Sequence, residues 1–227
     1  MNRIKIFLLY IHFLILLNSG FAQELEKLNN EAMKLNMEGK YDKALIVAKK
    51  TLESAEKKFG SEDLSLISYL NNLASLYETQ ELFNEAELLY KRSLELAEKK
   101  LGTNNPDIAP NIKNLALFYY SKKLYNQAES LFLRYLDLNE KSFGPEHPEV
   151  ATSLTNLGLI YLAQGLYTKA EPLFQRSISI RKKTLGPDHV SLVTSLKGLA
   201  VLYKATNRLK EEENCIEYAV NILKNHE

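Results

Sequence analysis

The sequence has very little cysteine: Cys215 is the single one in 227 residues. An intramolecular disulfide is excluded, and so is a multi-cysteine metal site within one chain. Neither sign of charge is in surplus, since 29 Lys and Arg stand against 28 Asp and Glu. Nucleic-acid binding needs a basic footprint, which is missing. Glycine and proline are scarce, at 9 and 6, while 45% of the residues are hydrophobic. That composition excludes a disordered chain. One long apolar run is present, from Ile6 to Leu17, interrupted by Tyr10 and His12. It is about twelve residues long, short of the roughly 20 a membrane-spanning helix needs.

The run lies in a three-part arrangement. Arg3 and Lys5 precede it, and Asn18-Ser19-Gly20-Phe21-Ala22 follows, with small residues at 20 and 22. This is the layout of a secretory signal peptide spanning residues 1–22, with cleavage expected after Ala22. Removing Arg3 and Lys5 takes the formal charge from +1 to −1. No cysteine follows the run to accept a lipid. The expected mature chain is exported, periplasmic or secreted if the source is bacterial, without stable membrane insertion after cleavage.

What the sequence has in abundance is repetition. Asn156-Leu157-Gly158-Leu159-Ile160-Tyr161 is preceded by Asn114-Leu115-Ala116-Leu117-Phe118-Tyr119 and by Asn72-Leu73-Ala74-Ser75-Leu76-Tyr77, each 42 residues apart. Gly198-Leu199-Ala200-Val201-Leu202-Tyr203 continues the step. A second phrase repeats in phase: Phe83-Asn84-Glu85-Ala86-Glu87, Tyr125-Asn126-Gln127-Ala128-Glu129 and Tyr167-Thr168-Lys169-Ala170-Glu171. Gly60, Gly102, Gly144 and Gly186 punctuate it at the same interval. A fixed period of this length marks a stack of small structural units, and it sets the fold before any local detail does.

Within a unit the apolar residues are spaced three and four apart, which is helical. Five helix pairs are expected, at about residues 24–62, 63–104, 105–146, 147–188 and 189–227, together making a solenoid over 23–227. Each linker glycine follows a Lys-rich helix end and is expected to stop the helix by αL geometry. Pro106 and Pro148 suit the first turn of a new helix, and Pro110 should delay or bend its own. Glu31 stands where later units have Leu73, Leu115 and Leu157, a polar substitution that fits an end unit. Glu212 replaces Ala86, Ala128 and Ala170, predicting a looser last pair or a shifted register. Ile216, Ala219, Val220 and Leu223 form the inward stripe expected of the last helix. Cys215 takes the place of Leu89, Leu131 and Leu173, so it reads as a small buried core residue. Tyr77, Tyr119, Tyr161 and Tyr203 read as packing residues with satisfied hydroxyls.

These units resemble tetratricopeptide repeats, in the 42-residue form typical of kinesin light chains. The resemblance covers about residues 25–224. It rests on the Asn-Leu-Ala/Gly-x-x-Tyr phrase, the Ala-Glu-x-Leu-Phe phrase and the linker Phe143-Gly144-Pro145-Glu146-His147-Pro148. It implies an all-α, right-handed superhelical solenoid of antiparallel helix pairs, with the first helix of each pair lining a concave binding face. By that correspondence the groove candidates are Asn71, Lys113, Thr155 and Lys197 at one level. Ser75, Leu117, Leu159 and Val201 form the next, and Glu78, Tyr120, Leu162 and Lys204 a third. Asn72, Asn114 and Asn156 run beside them, with Gly198 breaking the ladder. A carboxamide donates and accepts at once, so the ladder either holds peptide backbone or bonds locally between helices. Lys113 and Lys197 either meet acidic groups or stay solvated. Leu117, Leu159 and Val201 suggest an apolar strip.

No residue pattern supports catalysis. His147 and His189 fall at equivalent linker positions, a whole unit apart, and read as turn or cap residues rather than as metal ligands. A phosphate-binding glycine loop and a His-Glu-x-x-His helix are both missing. The sequence therefore predicts a non-catalytic scaffold that binds a peptide or protein, without cofactor, metal or nucleic acid. The alternatives are a structural or self-assembling module, or the repeat half of a split enzyme-linked system. Motor-cargo transport is not implied, because a heptad region is lacking and an export signal is expected.

Overall fold

The second helix of every pair starts at the same phase of the repeat. In the computed structural model these are α2 (Tyr41–Phe59), α4 (Phe83–Leu101), α6 (Tyr125–Phe143), α8 (Tyr167–Leu185) and α10 (Leu209–Lys224). The first helices are α1 (Asn2–Met37), α3 (Leu66–Thr79), α5 (Ala109–Ser121), α7 (Pro148–Ala163) and α9 (Val193–Ala205). The structure describes the backbone of residues 2–226 and the side chains of residues 20–226. The side chains of the expected signal peptide, up to residue 19, lie outside the described residues. Two compact units divide the chain, residues 1–100 and 101–227. In the first, α1 packs on α2 and α2 on α3; in the second, each helix from α5 to α10 packs on the one that follows it. All ten helices are α, and no strand occurs among the described residues.

The turn inside each pair is one motif used five times. The amide of Leu82 donates to the Tyr77 carbonyl and that of Glu81 to the Glu78 carbonyl. The same Tyr carbonyl is used by Leu124 on Tyr119, Leu166 on Tyr161 and Arg208 on Tyr203, and Lys40 uses Leu35 alike. This closure needs a left-handed residue just past the helix end. Gly39 and Gly165 supply it without strain, but Glu81, Lys123 and Asn207 hold φ of 60°, 59° and 57°. Side chains in that region cost about 1–2 kcal/mol.

The linkers between pairs obey a stricter rule than the sequence suggested. Gly60, Gly144 and Gly186 combine φ of 89°, 84° and 94° with ψ of 157°, 161° and 158°. That is the mirror image of extended backbone rather than αL, a region essentially closed to side chains. Three residues after each linker glycine, a side chain accepts from the backbone amide two residues further on. Asp63 and Asn105 accept from the amides of Ser65 and Asp107, both at 2.8 Å. His147 and His189 accept through Nδ1 from Glu149 and Ser191, both at 3.2 Å. The cap reading of the two histidines agrees with this geometry. Pro106 begins a 3₁₀ turn (Pro106–Ile108) that delays α5 until Ala109, and Pro148 opens α7 directly.

Charged side chains tie one pair to the linker before it. Arg92, Arg134 and Arg176 donate to the carbonyls of Ser61, Thr103 and Pro145, at 3.2, 2.8 and 3.2 Å. Arg92 also meets Glu56 and Arg176 meets Glu140. In the last pair Tyr218 takes the arginine position and donates to the Pro187 carbonyl at 2.6 Å. Tyrosine hydroxyls act in parallel: Tyr161 donates to Glu129 at 2.7 Å and Tyr203 to Glu171 at 3.1 Å. Burial, then the Glu129 carboxylate, pushes the Tyr161 hydroxyl up to about 12.

The core is threaded between these ties. Phe174 is fully buried. A Cβ on Gly158 would lie 2.7 Å from its ring, and one on Gly198 2.6 Å. The ring is thus clamped by the bare backbones of α7 and α9. Gly198 breaks the asparagine ladder because nothing larger fits over Phe174. Cys215 is half-buried among the α8–α10 core residues, and burial raises its thiol above the usual range. The last pair keeps the common register, since Ala219 and Ile222 are buried where α8 buries Ser177 and Ile180. The shifted register anticipated from Glu212 does not occur. Glu212 instead lies half-buried, 3.9 Å from Lys204 of α9. Ile216, Val220 and Leu223, expected to point inward, are exposed.

Two contrasts test these assignments by chemical denaturation. Lys123→Gly should raise stability by about 0.5–1 kcal/mol, because relief of the left-handed strain exceeds the entropy glycine adds to the unfolded chain. Gly144→Ala should instead lower it by about 1–3 kcal/mol. Separately, Gly198→Ala should destabilise by about 1–3 kcal/mol although alanine is the better helix former, because the clamped Phe174 ring has nowhere to move.

Candidate binding face

The candidate residues all lie on first helices, and packing leaves only some of them accessible. In the first unit α3 offers Asn71, Asn72 and Ser75, all half-buried. The Asn71 Oδ1 is shielded and lacks a hydrogen-bond partner. Ser75 lies beside the Tyr90 hydroxyl, which donates to Glu78. In the second unit α5 offers Lys113, Asn114, Leu117 and Tyr120. Leu117 is exposed, while Tyr120 is half-buried and its ring leans on Tyr125 of α6 at 6.0 Å. On α9, Lys197 and Val201 are both exposed.

Asn72, Asn114 and Asn156 occupy corresponding positions of α3, α5 and α7. Each is half-buried, and none of the three carboxamides bonds to another group among the described residues.

The apolar strip is narrower than the sequence suggested. Leu159 and Leu162 are half-buried against the core formed by α8, α9 and α10, which leaves Leu117 and Val201 open. The reason is the closeness of α7 and α9, which lie side by side.

Thr155 must be removed from the candidates. It is 4% exposed and sits in a buried polar cluster. Its hydroxyl lies 2.8 Å from both Ser177 and Ser195. Arg181 of α8, itself 7% exposed, donates through Nη1 to Thr155 and Ser177 at 2.8 Å and to Ser195 at 3.0 Å. Its Nη2 reaches Thr152 at 3.3 Å. Burial draws the guanidinium below its usual range and Glu149 partly restores it, yet it remains a cation. A buried charge without hydrogen bonds is expensive, so four hydroxyls from α7, α8 and α9 converge on this one. The sequence reading missed the cluster. Its only signal was an arginine at the phase held elsewhere by Ala97 and Asn139.

Lys113 borders a cleft of about 300 Å³ shared with Asp107, Tyr135, Asn139 and Glu149. Tyr135 donates to Glu149 at 2.8 Å and Asn139 to Ser153 at 3.2 Å. Burial and the Glu149 carboxylate push the Tyr135 hydroxyl well above the ordinary phenol range. No group of three or more His, Cys, Asp or Glu able to hold a metal occurs among the described residues. Nor is any helix among them long and apolar enough to cross a membrane.

Repeated antiparallel helix pairs, joined by these turns and caps, define an all-α repeat scaffold. The family model described as Tetratricopeptide repeat matches residues 23–99, 108–183 and 151–225, so the chain belongs to the tetratricopeptide repeat family, whose members are protein-interaction scaffolds. Among solved structures it is similar to a Podosopora anserina protein described as a kinesin light chain with nearly identical TPR-like repeats. The identity is 23%, with 91% of this chain and 98% of that one covered and a TM-score of 0.76. BtubC (BKLC) from P. vanneervenii is similar at 21% identity, 90% and 82% coverage and a TM-score of 0.76. A tetratricopeptide repeat protein from Parabacteroides merdae matches at 23% identity, 89% and 68% coverage and a TM-score of 0.60. No curated protein matches the chain in sequence.

The buried cluster and the free ladder separate cleanly by stability. Thr155→Val should cost about 1–3 kcal/mol, since it takes an acceptor from a buried cation. Asn156→Ala should stay within about 0.5 kcal/mol of the parent. Urea denaturation of the two variants checks both values.

Proposed function

We propose that this protein is a non-catalytic scaffold that binds an extended segment of a partner protein across the exposed faces of its first helices. The observation that carries this reading is the ladder of Asn72, Asn114 and Asn156. These are half-buried carboxamides, one in each of three successive pairs, and bonded to no other group among the described residues. Unused donors and acceptors recurring at the 42-residue period of the sequence suit a peptide backbone, which offers both without regard to side-chain identity. Lys113 and Lys197, which carry no ion pair, add a preference for acidic groups. Leu117 and Val201 provide apolar contacts between them. Residues 1–22 act as an export signal in this reading, so the partner is met outside the cytoplasm.

An immobilised library of random extended peptides tests the ladder. Sequences retained by the parent chain should bind the Asn72→Ala, Asn114→Ala, Asn156→Ala triple variant at least about tenfold more weakly, at roughly 0.5–1.5 kcal/mol per lost hydrogen bond. Helicity should be unchanged. Equal retention by both proteins would remove the asparagines from the binding face.

A further inference from the structure

The outward face of α10 presents a second, independent surface. Phe174 of α8 touches its own first helix at Gly158 and the following first helix at Gly198. One step of 42 later, Ile216 holds the same position on α10 and Val220 holds that of Ile178. Phe174 and Ile178 are 0% and 9% exposed, whereas Ile216 and Val220 are 47% and 41% exposed. Ala219 and Ile222, which face α9, remain buried. The register is therefore intact and only the side that receives a helix is open. A cleft of about 590 Å³ runs along it, lined by Leu209, Glu212, Glu213, Ile216, Glu217 and Val220. Its charged members are all glutamates. Glu212 faces Lys204, while Glu213 and Glu217 carry no ion pair among the described residues.

We propose that this face is a docking site for a basic amphipathic helix of a partner protein. The apolar positions repeat the geometry that seats α9 on α8, so the shape suits a helix bearing small and aliphatic residues. Its glutamate rim selects lysine or arginine on the flanks of that helix and repels an acidic one. A second copy of this chain fits poorly. Gly198, Leu199 and Leu202, which lie on the side of α9 toward α8, correspond by the same period to Asn30, Glu31 and Lys34 of α1, all exposed. Stacking α1 of another copy here would press polar and charged groups onto Ile216 and Val220.

Fluorescence anisotropy with a synthetic labelled helix tests this on the full chain. The probe is about five turns long, with Leu and Ala on one face and Lys on its flanks. A control probe carries Glu in place of Lys. The lysine probe should bind the parent, and salt should weaken it. Ile216→Glu and Val220→Glu should each weaken it about tenfold or more, and Glu213→Lys with Glu217→Lys should reverse the preference toward the glutamate probe. Both apolar positions are exposed, so their variants should keep the parent's helicity by circular dichroism. The Asn72, Asn114, Asn156 triple variant should bind the lysine probe as the parent does. Absence of binding, equal binding of both probes, or loss of binding in the asparagine variant would overturn the proposal. So would concentration-dependent self-association in sedimentation that Ile216→Glu abolishes, which would assign the face to a second copy.

Discussion

Where α8 lies between α7 and α9 it has two partners to satisfy, and one ring serves both. Phe174 shows the constraint most sharply, with bare backbone on either side of it. Fully burying such a ring contributes about 1.5–3 kcal/mol, and here the ring fills the space that a Cβ at Gly158 or Gly198 would take. The glycines of α7 and α9 are thus packing residues, and a gap in the asparagine ladder at position 198 follows from a ring on a different helix. Stability in a stack of this type is a sum of pair terms and interface terms, so a face without its neighbour exposes an apolar surface that the pair itself was built to bury.

Around that core, recurring polar contacts set the spacing between pairs. The arginines at 92, 134 and 176 reach linker carbonyls, and the linker caps at 63, 105, 147 and 189 hold the next helix start. The chemistry varies while the bond is kept. Aspartate, asparagine and histidine all accept from the amide two residues on, and Tyr218 replaces an arginine to reach the same kind of carbonyl. What is preserved is an acceptor or donor at a fixed phase rather than a residue type. The exposed pairs add little individually, and they recur at a fixed phase of the linker.

Much of this could be read in the residues. Helix starts at Tyr41, Phe83, Tyr125 and Tyr167, the glycine stops and the all-α pairing follow from periodicity and from two residue types with narrow backbone rules. The binding face was less legible. Thr155 shares its phase with Asn71, Lys113 and Lys197, and the repeat alone makes all four look equivalent. Arg181 makes the difference: three helices carry hydroxyls to it, so Thr155 turns inward while Lys197 stays in solvent. Leu159 was likewise drawn into packing by the proximity of α7 and α9. A single phase in the repeat therefore does not carry a single environment.

The sequence by itself determined the class of the molecule and its period, because helical spacing, glycine linkers and left-handed turns are local demands that a few residues settle. It also marked Asn72, Asn114 and Asn156 as polar groups on otherwise apolar helices. Only the tertiary structure decided which polar groups were spent. It committed Thr155 to a buried cation, left the three carboxamides unbonded and opened the glutamate-lined side of α10. Burial and hydrogen-bond partnership depend on side chains some forty residues away along the chain, and periodicity carries no record of them.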